Sequence, residues 1–220
     1  VPVYAVTRAI RPLGFGYVTH RLGASGGFAD TLNATGAGTT NERIDAAVAL
    51  YLATLLCVGL PAALMAVLLA RMVERTSGCR TAGILAALIV GLATPVFTYA
   101  QAFYGHVLAA ALLVGALALL VLRPGNAVSR WRLFALGALL GAAVVVEYPA
   151  AIVGLGIAAW ALWLARSRAM VFGVLGALPP LVVLAVYDQL VFGTIKPVGY
   201  EHSTLWQDKH DTGFMSLTHP

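Results

Sequence analysis

Residues 94–113 read TPVFTYAQAFYGHVLAAALL, and here Tyr99, Gln101, Tyr104 and His106 interrupt a nearly unbroken apolar run. Phenols, an amide and an imidazole at this spacing can hydrogen-bond and orient a polar ligand, and the imidazole can also carry a proton. A second polar group, Glu147-Tyr148-Pro149, cuts another apolar run, and Tyr187-Asp188 lies late in a third. The segment that follows, IKPVGYEHSTLWQDKHDTGF, adds Lys196, Tyr200, Glu201, His202, Trp206, Lys209 and His210. Carboxylates, imidazoles and lysines set against apolar segments suit a ligand with an anionic head and a greasy tail. Plainer readings stand beside this one. Tyr and Trp are common belt residues at a membrane boundary, and His106 can simply bond a neighbouring helix. Glu201, Asp208 and Asp211 read as solvated. Glu147 is harder to dismiss, because an acid at the tip of an apolar hairpin is retained at a cost.

The elements that must position these groups are legible from composition. Of 220 residues, 60% are hydrophobic and 10% charged, against roughly 25% charged in soluble domains. Residues 46–70 and 81–122 carry no charged side chain; 133–165 carry only Glu147 and 169–195 only Asp188. A helical span needs about 20 apolar residues. Residues 81–122 would run about 60 Å as one helix and 133–165 about 50 Å, so each must turn, at the Tyr99–Gly105 cluster and at Glu147–Pro149. The expectation is an all-α fold, a polytopic integral membrane helix bundle of about six transmembrane helices near 45–70, 82–98, 105–122, 133–146, 149–165 and 169–192. Residues 1–43 read as an extracytoplasmic loop or interfacial segment, 44–192 as the bundle and 193–220 as an extracytoplasmic segment. One tilted helix in place of the fourth and fifth would strand Glu147 in mid-bilayer at about 3 kcal/mol, so two short helices are preferred.

Charge sorts onto two sides. Arg71, Arg75, Arg80, Arg123, Arg130, Arg132, Arg166 and Arg168 share one set of loops with a single acid, Glu74. The other side has Arg8, Arg11, Arg21, Arg43, Lys196 and Lys209 against the remaining eight acids. Arg-rich short loops stay cytoplasmic, which turns the Tyr99–His106 and Glu147 turns outward. The net charge of +5 is accounted for by these loops and argues for membrane topology, not nucleic acid. No Gly-rich phosphate loop, His-Glu-x-x-His or nucleophile elbow occurs. Cys57 and Cys79 form no disulfide framework or metal spacing, and nothing calls for a metal or cofactor. Asn33-Ala34-Thr35 matches the glycosylation triplet, a pattern common by chance. No basic n-region and cleavage site precede the first apolar run, and the chain reads as a fragment of a longer polytopic protein.

The order of these motifs resembles the GT-C type polytopic glycosyltransferases, in particular bacterial members of glycosyltransferase family 39 and their dolichyl-phosphate-mannose mannosyltransferase relatives. ATPVFTYAQAFYGHVLAAALL resembles their outer turn, with Tyr99, Tyr104 and His106 at matching places. GALLGAAVVVEYPAAIVGL resembles a small-residue helix ending at Glu147-Tyr148-Pro149. VYDQLVFGTIKPVGY and HDTGFMSLTHP resemble a segment in which Tyr187, Phe192, Gly193, Gly199, Tyr200, His210, Gly213, Phe214 and Pro220 match. VPVYAVTRAI is similar to a segment after the first outer loop, while 11–43 is not distinctive. Asp188 departs from the pattern, which more often has Asn there. The family's catalytic Asp lies in the first outer loop and would precede Val1. The resemblance implies transfer of a sugar from a polyprenyl-phosphate donor to a lipid or glycan acceptor at the extracytoplasmic face of a bacterial cytoplasmic membrane. Tyr99, Tyr104, His106, Glu147, Tyr148, Lys196, Tyr200 and His210 are the expected substrate-binding residues. The alternative is a non-enzymatic transporter or lipid-handling protein.

Overall fold

The structure is a computed structural model, and it describes residues 40–123, 125 and 127–195. Among these residues every regular element is helical and there is no strand. The chain divides into two compact units, Val1–Ala111 and Leu112–Pro220.

In the first unit α1 (Thr40–Thr54), a π-helical turn (Leu55–Gly59) and α2 (Leu60–Ser77) follow without a break. The π turn has a local cause. Pro61 has no N–H for the Cys57 carbonyl, and its ring would crowd that oxygen. The Leu60 N–H reaches back to the Leu55 carbonyl instead, and this wider closure relieves the helix just ahead of the proline. α2 ends at Gly78, whose φ of +70° is a left-handed conformation open to glycine. The chain then reverses through Cys79 into α3 (Arg80–Leu92), which packs along α2.

α3 stops because Pro95 excludes the helical region for the residue before it. Thr94 is extended, at φ −123° and ψ 169°. Its hydroxyl donates to the Val90 carbonyl at 2.6 Å and accepts from the Val96 N–H at 3.3 Å, closing one helix and opening the short α4 (Pro95–Tyr99). The single helix expected over 82–98 is therefore two pieces, and α3 alone rises only about 20 Å. A second correction concerns the arginines. Arg71 and Arg75, with Glu74, lie on α2 itself, not in a loop, because the helix runs on to Ser77.

The second unit begins within α5 (Gly105–Val121) and continues through α6 (Arg130–Val146), α7 (Ala150–Ala165) and α8 (Ser167–Phe192). α6 ends at Val146 and α7 starts at Ala150, so the apolar run 133–165 does break at Glu147–Pro149. Ser129 caps α6, its hydroxyl accepting from the Arg132 N–H at 3.4 Å. A single residue, Arg166, joins α7 to α8 with φ 49°. Two reversals leave α6 and α8 parallel, and both pack on α7. Ala116, Leu120, Leu133, Leu136, Ile157 and Ala161 belong to the core of this unit.

α6 and α8 meet almost backbone to backbone. A Cβ on Gly137 would run into the Gly173 carbonyl, and one on Gly176 into the Phe134 carbonyl. Beside them the Pro180 ring fills the notch left by Gly141, where a Cβ would lie 2.9 Å from its Cγ. Close approach of this kind maximises dispersion contact where no hydrophobic driving force separates helix from lipid.

Residues 47–77 and α8 are long and apolar enough to cross a membrane. Only 17% and 11% of their most apolar stretches are buried, so their oily side chains face outward, unlike those of a soluble core helix. α3, α5 and α7 are apolar but shorter.

Candidate functional site

In the first unit the chain brings Tyr99, Tyr104 and His106 together. Tyr99 ends α4, Tyr104 lies in the turn, and His106 sits in the first turn of α5. The Tyr99 ring meets Tyr104 edge-on at 5.9 Å and His106 edge-on at 5.7 Å, while Tyr104 and His106 are nearly parallel at 6.4 Å. Such contacts contribute about 0.5–1.5 kcal/mol per pair, so the trio holds its own arrangement although all three rings are exposed. Gln101 donates its side-chain amide to the Phe97 carbonyl at 3.3 Å. The turn lies beside the π-helical segment, since a Cβ on Gly59 would touch the Ala100 carbonyl oxygen at 3.9 Å.

In the second unit Glu147 terminates α6 in extended conformation, its N–H bonded to the Ala143 carbonyl at 2.9 Å. The Ala150 N–H closes the turn onto the Glu147 carbonyl at 3.0 Å. Glu147 and the partly buried Tyr148 thus occupy the tip of the α6–α7 hairpin. α8, parallel to α6, carries Asp188 to the same end. Asp188 is only 2% exposed, the single buried charged residue among those described, and its Oδ2 has no hydrogen-bond partner. Tyr187, one residue away, is exposed and packs edge-on against Phe192 at 6.3 Å.

Burial, and then the Asp188 carboxylate, push the Tyr148 phenol above its ordinary value of 10.0. Both disfavour the phenolate. The folded protein therefore holds a proton that the unfolded chain has lost once the pH passes about 10. Stability owed to Tyr148 is complete below that pH and is lost as the pH rises through the elevated value. Tyr148→Phe is expected to flatten the alkaline decline of the denaturation midpoints. Midpoints measured from pH 8 to 11.5 test this; an equally steep decline in the variant would contradict it.

From the sequence Asp188 lies late in an apolar run and outside the expected substrate-binding residues. Its burial beside Tyr148 is what the fold adds, and the available signal was an acid within a long apolar helix. Lys196, Tyr200 and His210 lie outside the described residues, as does most of the expected segment 1–43. Among the described residues no group of three His, Cys, Asp or Glu side chains can hold a metal ion.

The opposite end of the second unit is arginine-rich. Arg123 and Arg132 donate to the last carbonyls of α5, Arg123 Nη1 to Leu120 at 2.8 Å and Arg132 Nη1 to Leu119 at 2.9 Å. Cations there complement the helix dipole as well as the orphan carbonyls. Arg130, Arg166 and Arg168 are exposed at the same end, while Glu147 and Asp188 sit at the other. No family model matches the chain, and no curated protein or solved structure matches it either. The likeness to GT-C glycosyltransferases therefore rests on the quoted motifs.

Proposed function

We propose that this chain is part of a polytopic membrane glycosyltransferase that takes a sugar from a polyprenyl-phosphate donor and passes it to a lipid or glycan acceptor. The observation that carries the membrane half of this reading is charge segregation among the described residues of the second unit, arginines at one end and the acids Glu147 and Asp188 at the other, along helices whose apolar faces point outward. Short Arg-rich connections stay cytoplasmic, which directs the Glu147–Tyr148 hairpin tip to the extracytoplasmic side, where lipid-linked sugars are used. Applied to the first unit by itself, the same rule turns the Tyr99–Tyr104–His106 turn away from the connection that holds Arg80, and the reading takes six crossings. The motif order carries the transferase half.

In that chemistry an acceptor hydroxyl loses its proton to a carboxylate and attacks the anomeric carbon. The carbon–oxygen bond to the lipid phosphate breaks, and the configuration inverts. The carboxylate belongs to a loop preceding Val1 in the family pattern. Here Glu147 and Tyr148 bind sugar or acceptor hydroxyls, so that positioning and charge supply most of the rate.

In the full-length protein, Glu147→Gln and His106→Ala are each expected to slow transfer from a polyprenyl-phosphate sugar by about 10–100-fold, the loss of one charge-assisted hydrogen bond. Unchanged rates in both variants would remove the assignment. A second reading, transport, is favoured by one observation, the buried Asp188 on a long apolar helix. Substrate flux across proteoliposomes without sugar transfer would select it.

A further inference from the structure

The arginine-rich end of the second unit holds a feature that sugar transfer does not use. Between α6 and α8 lies an apolar groove of about 390 Å³, lined by Arg130, Trp131, Phe134, Phe172 and Leu175. That volume falls within the range of ligand sites, about 300–1,000 Å³. Its walls are rings and an aliphatic side chain, with Trp131 and Phe134 edge-on at 6.3 Å. Arg130, an exposed residue, belongs to its lining, and so does an indole that is 81% exposed. α6 and α8 are parallel, so both N-termini open at this end and their dipoles favour an anion there. Arg166 and Arg168 start α8 at the same level, exposed, and no acid occurs between residues 112 and 146.

We propose that this groove binds an anionic phospholipid of the surrounding bilayer, its phosphate on Arg130 and one acyl chain between Phe134, Phe172 and Leu175. The proposal rests on the membrane part of the reading above and not on sugar transfer. Charge complementarity decides the occupant. A wholly apolar partner would leave the Arg130 charge uncompensated, and a soluble anion would leave the aromatic walls unfilled. Trp131 sits where an amphipathic ring sits best, at headgroup level. Arg123 and Arg132 are committed to the carbonyls of α5, which leaves Arg130 as the guanidinium on the groove.

Trp131 supplies the readout. The chain has four tryptophans, and Trp160→Phe, Trp163→Phe and Trp206→Phe leave Trp131 as sole fluorophore. In phosphatidylcholine nanodiscs containing a small fraction of brominated lipid, brominated phosphatidylglycerol is expected to quench Trp131 at about one-fifth the mole fraction that brominated phosphatidylcholine requires. Arg130→Gln is expected to abolish the preference, and Arg168→Gln, off the groove, to keep most of it. Equal quenching by the two lipids, or a preference that survives Arg130→Gln, overturns the proposal. Equal losses in the two variants indicate diffuse attraction to a basic surface and overturn it as well. Quenching by neither lipid defeats the membrane reading itself, whatever the transfer assay gives.

Discussion

Gly137→Ala and Gly176→Ala are each expected to destabilise the protein by about 1–3 kcal/mol, while Gly156→Ala is expected to stabilise it by about 0.5–1 kcal/mol. The three sites share a helical backbone and differ in what a methyl group would meet. At Gly137 it would strike the Gly173 carbonyl, and at Gly176 the Phe134 carbonyl, with the Ala138 nitrogen at 3.0 Å. Those atoms are backbone and cannot rotate aside, so α6 and α8 must separate and lose dispersion contact along their length. At Gly156 nothing lies within 4 Å, and alanine only reduces the entropy lost on folding. Thermal unfolding of the detergent-solubilised protein would read the contrast. Equal effects at all three sites would mean that the α6–α8 contact carries little of the stability.

Asp188→Asn is expected to raise stability by about 1–3 kcal/mol, a large change for a single isosteric substitution. The carboxylate is 2% exposed and one of its oxygens has no hydrogen-bond partner. Among the described residues no cation is paired with it, and a buried anion in that setting loses hydration that little replaces. The amide keeps the shape and removes the charge, and it restores the residue type that the resembled family more often carries. The same change should let Tyr148 titrate earlier, because one of the two causes holding its phenol neutral disappears. Denaturant midpoints together with absorbance titration of the phenol check both halves. A loss of more than about 1 kcal/mol would show that the carboxylate is held by a cation and is structural.

Much of the helical layout was readable because its causes are local. The Tyr99–Gly105 cluster and the Glu147-Tyr148-Pro149 triplet interrupt apolar runs too long for one crossing, and no helix runs through either. Where the reading slipped, the cause was also local but finer. Thr94 gives up helical geometry to accommodate Pro95, so α3 ends at Leu92 and a short α4 follows. Arg71 and Arg75 favour helix as readily as loop, and α2 keeps them until Gly78 permits a reversal. Of the candidate residues, Tyr99, Tyr104 and His106 are near in sequence and one turn suffices to gather them. Lys196, Tyr200 and His210 lie outside the described residues.

By itself the amino-acid sequence determined the helical class, the outward-facing apolar surfaces, the two breaks and the sorting of arginines from acids. These follow from length, hydropathy and backbone restrictions that act within a few residues. Only the tertiary structure decided that α8 brings Asp188 onto Tyr148, that Gly137 and Gly176 let two backbones touch, and that Arg130 crowns an apolar groove. Residues 36 to 42 positions apart, Gly137 with Gly173 and Phe134 with Gly176, meet through the register of two parallel helices. That register is set by packing small residues against carbonyl groups, which no hydrophobic pattern encodes.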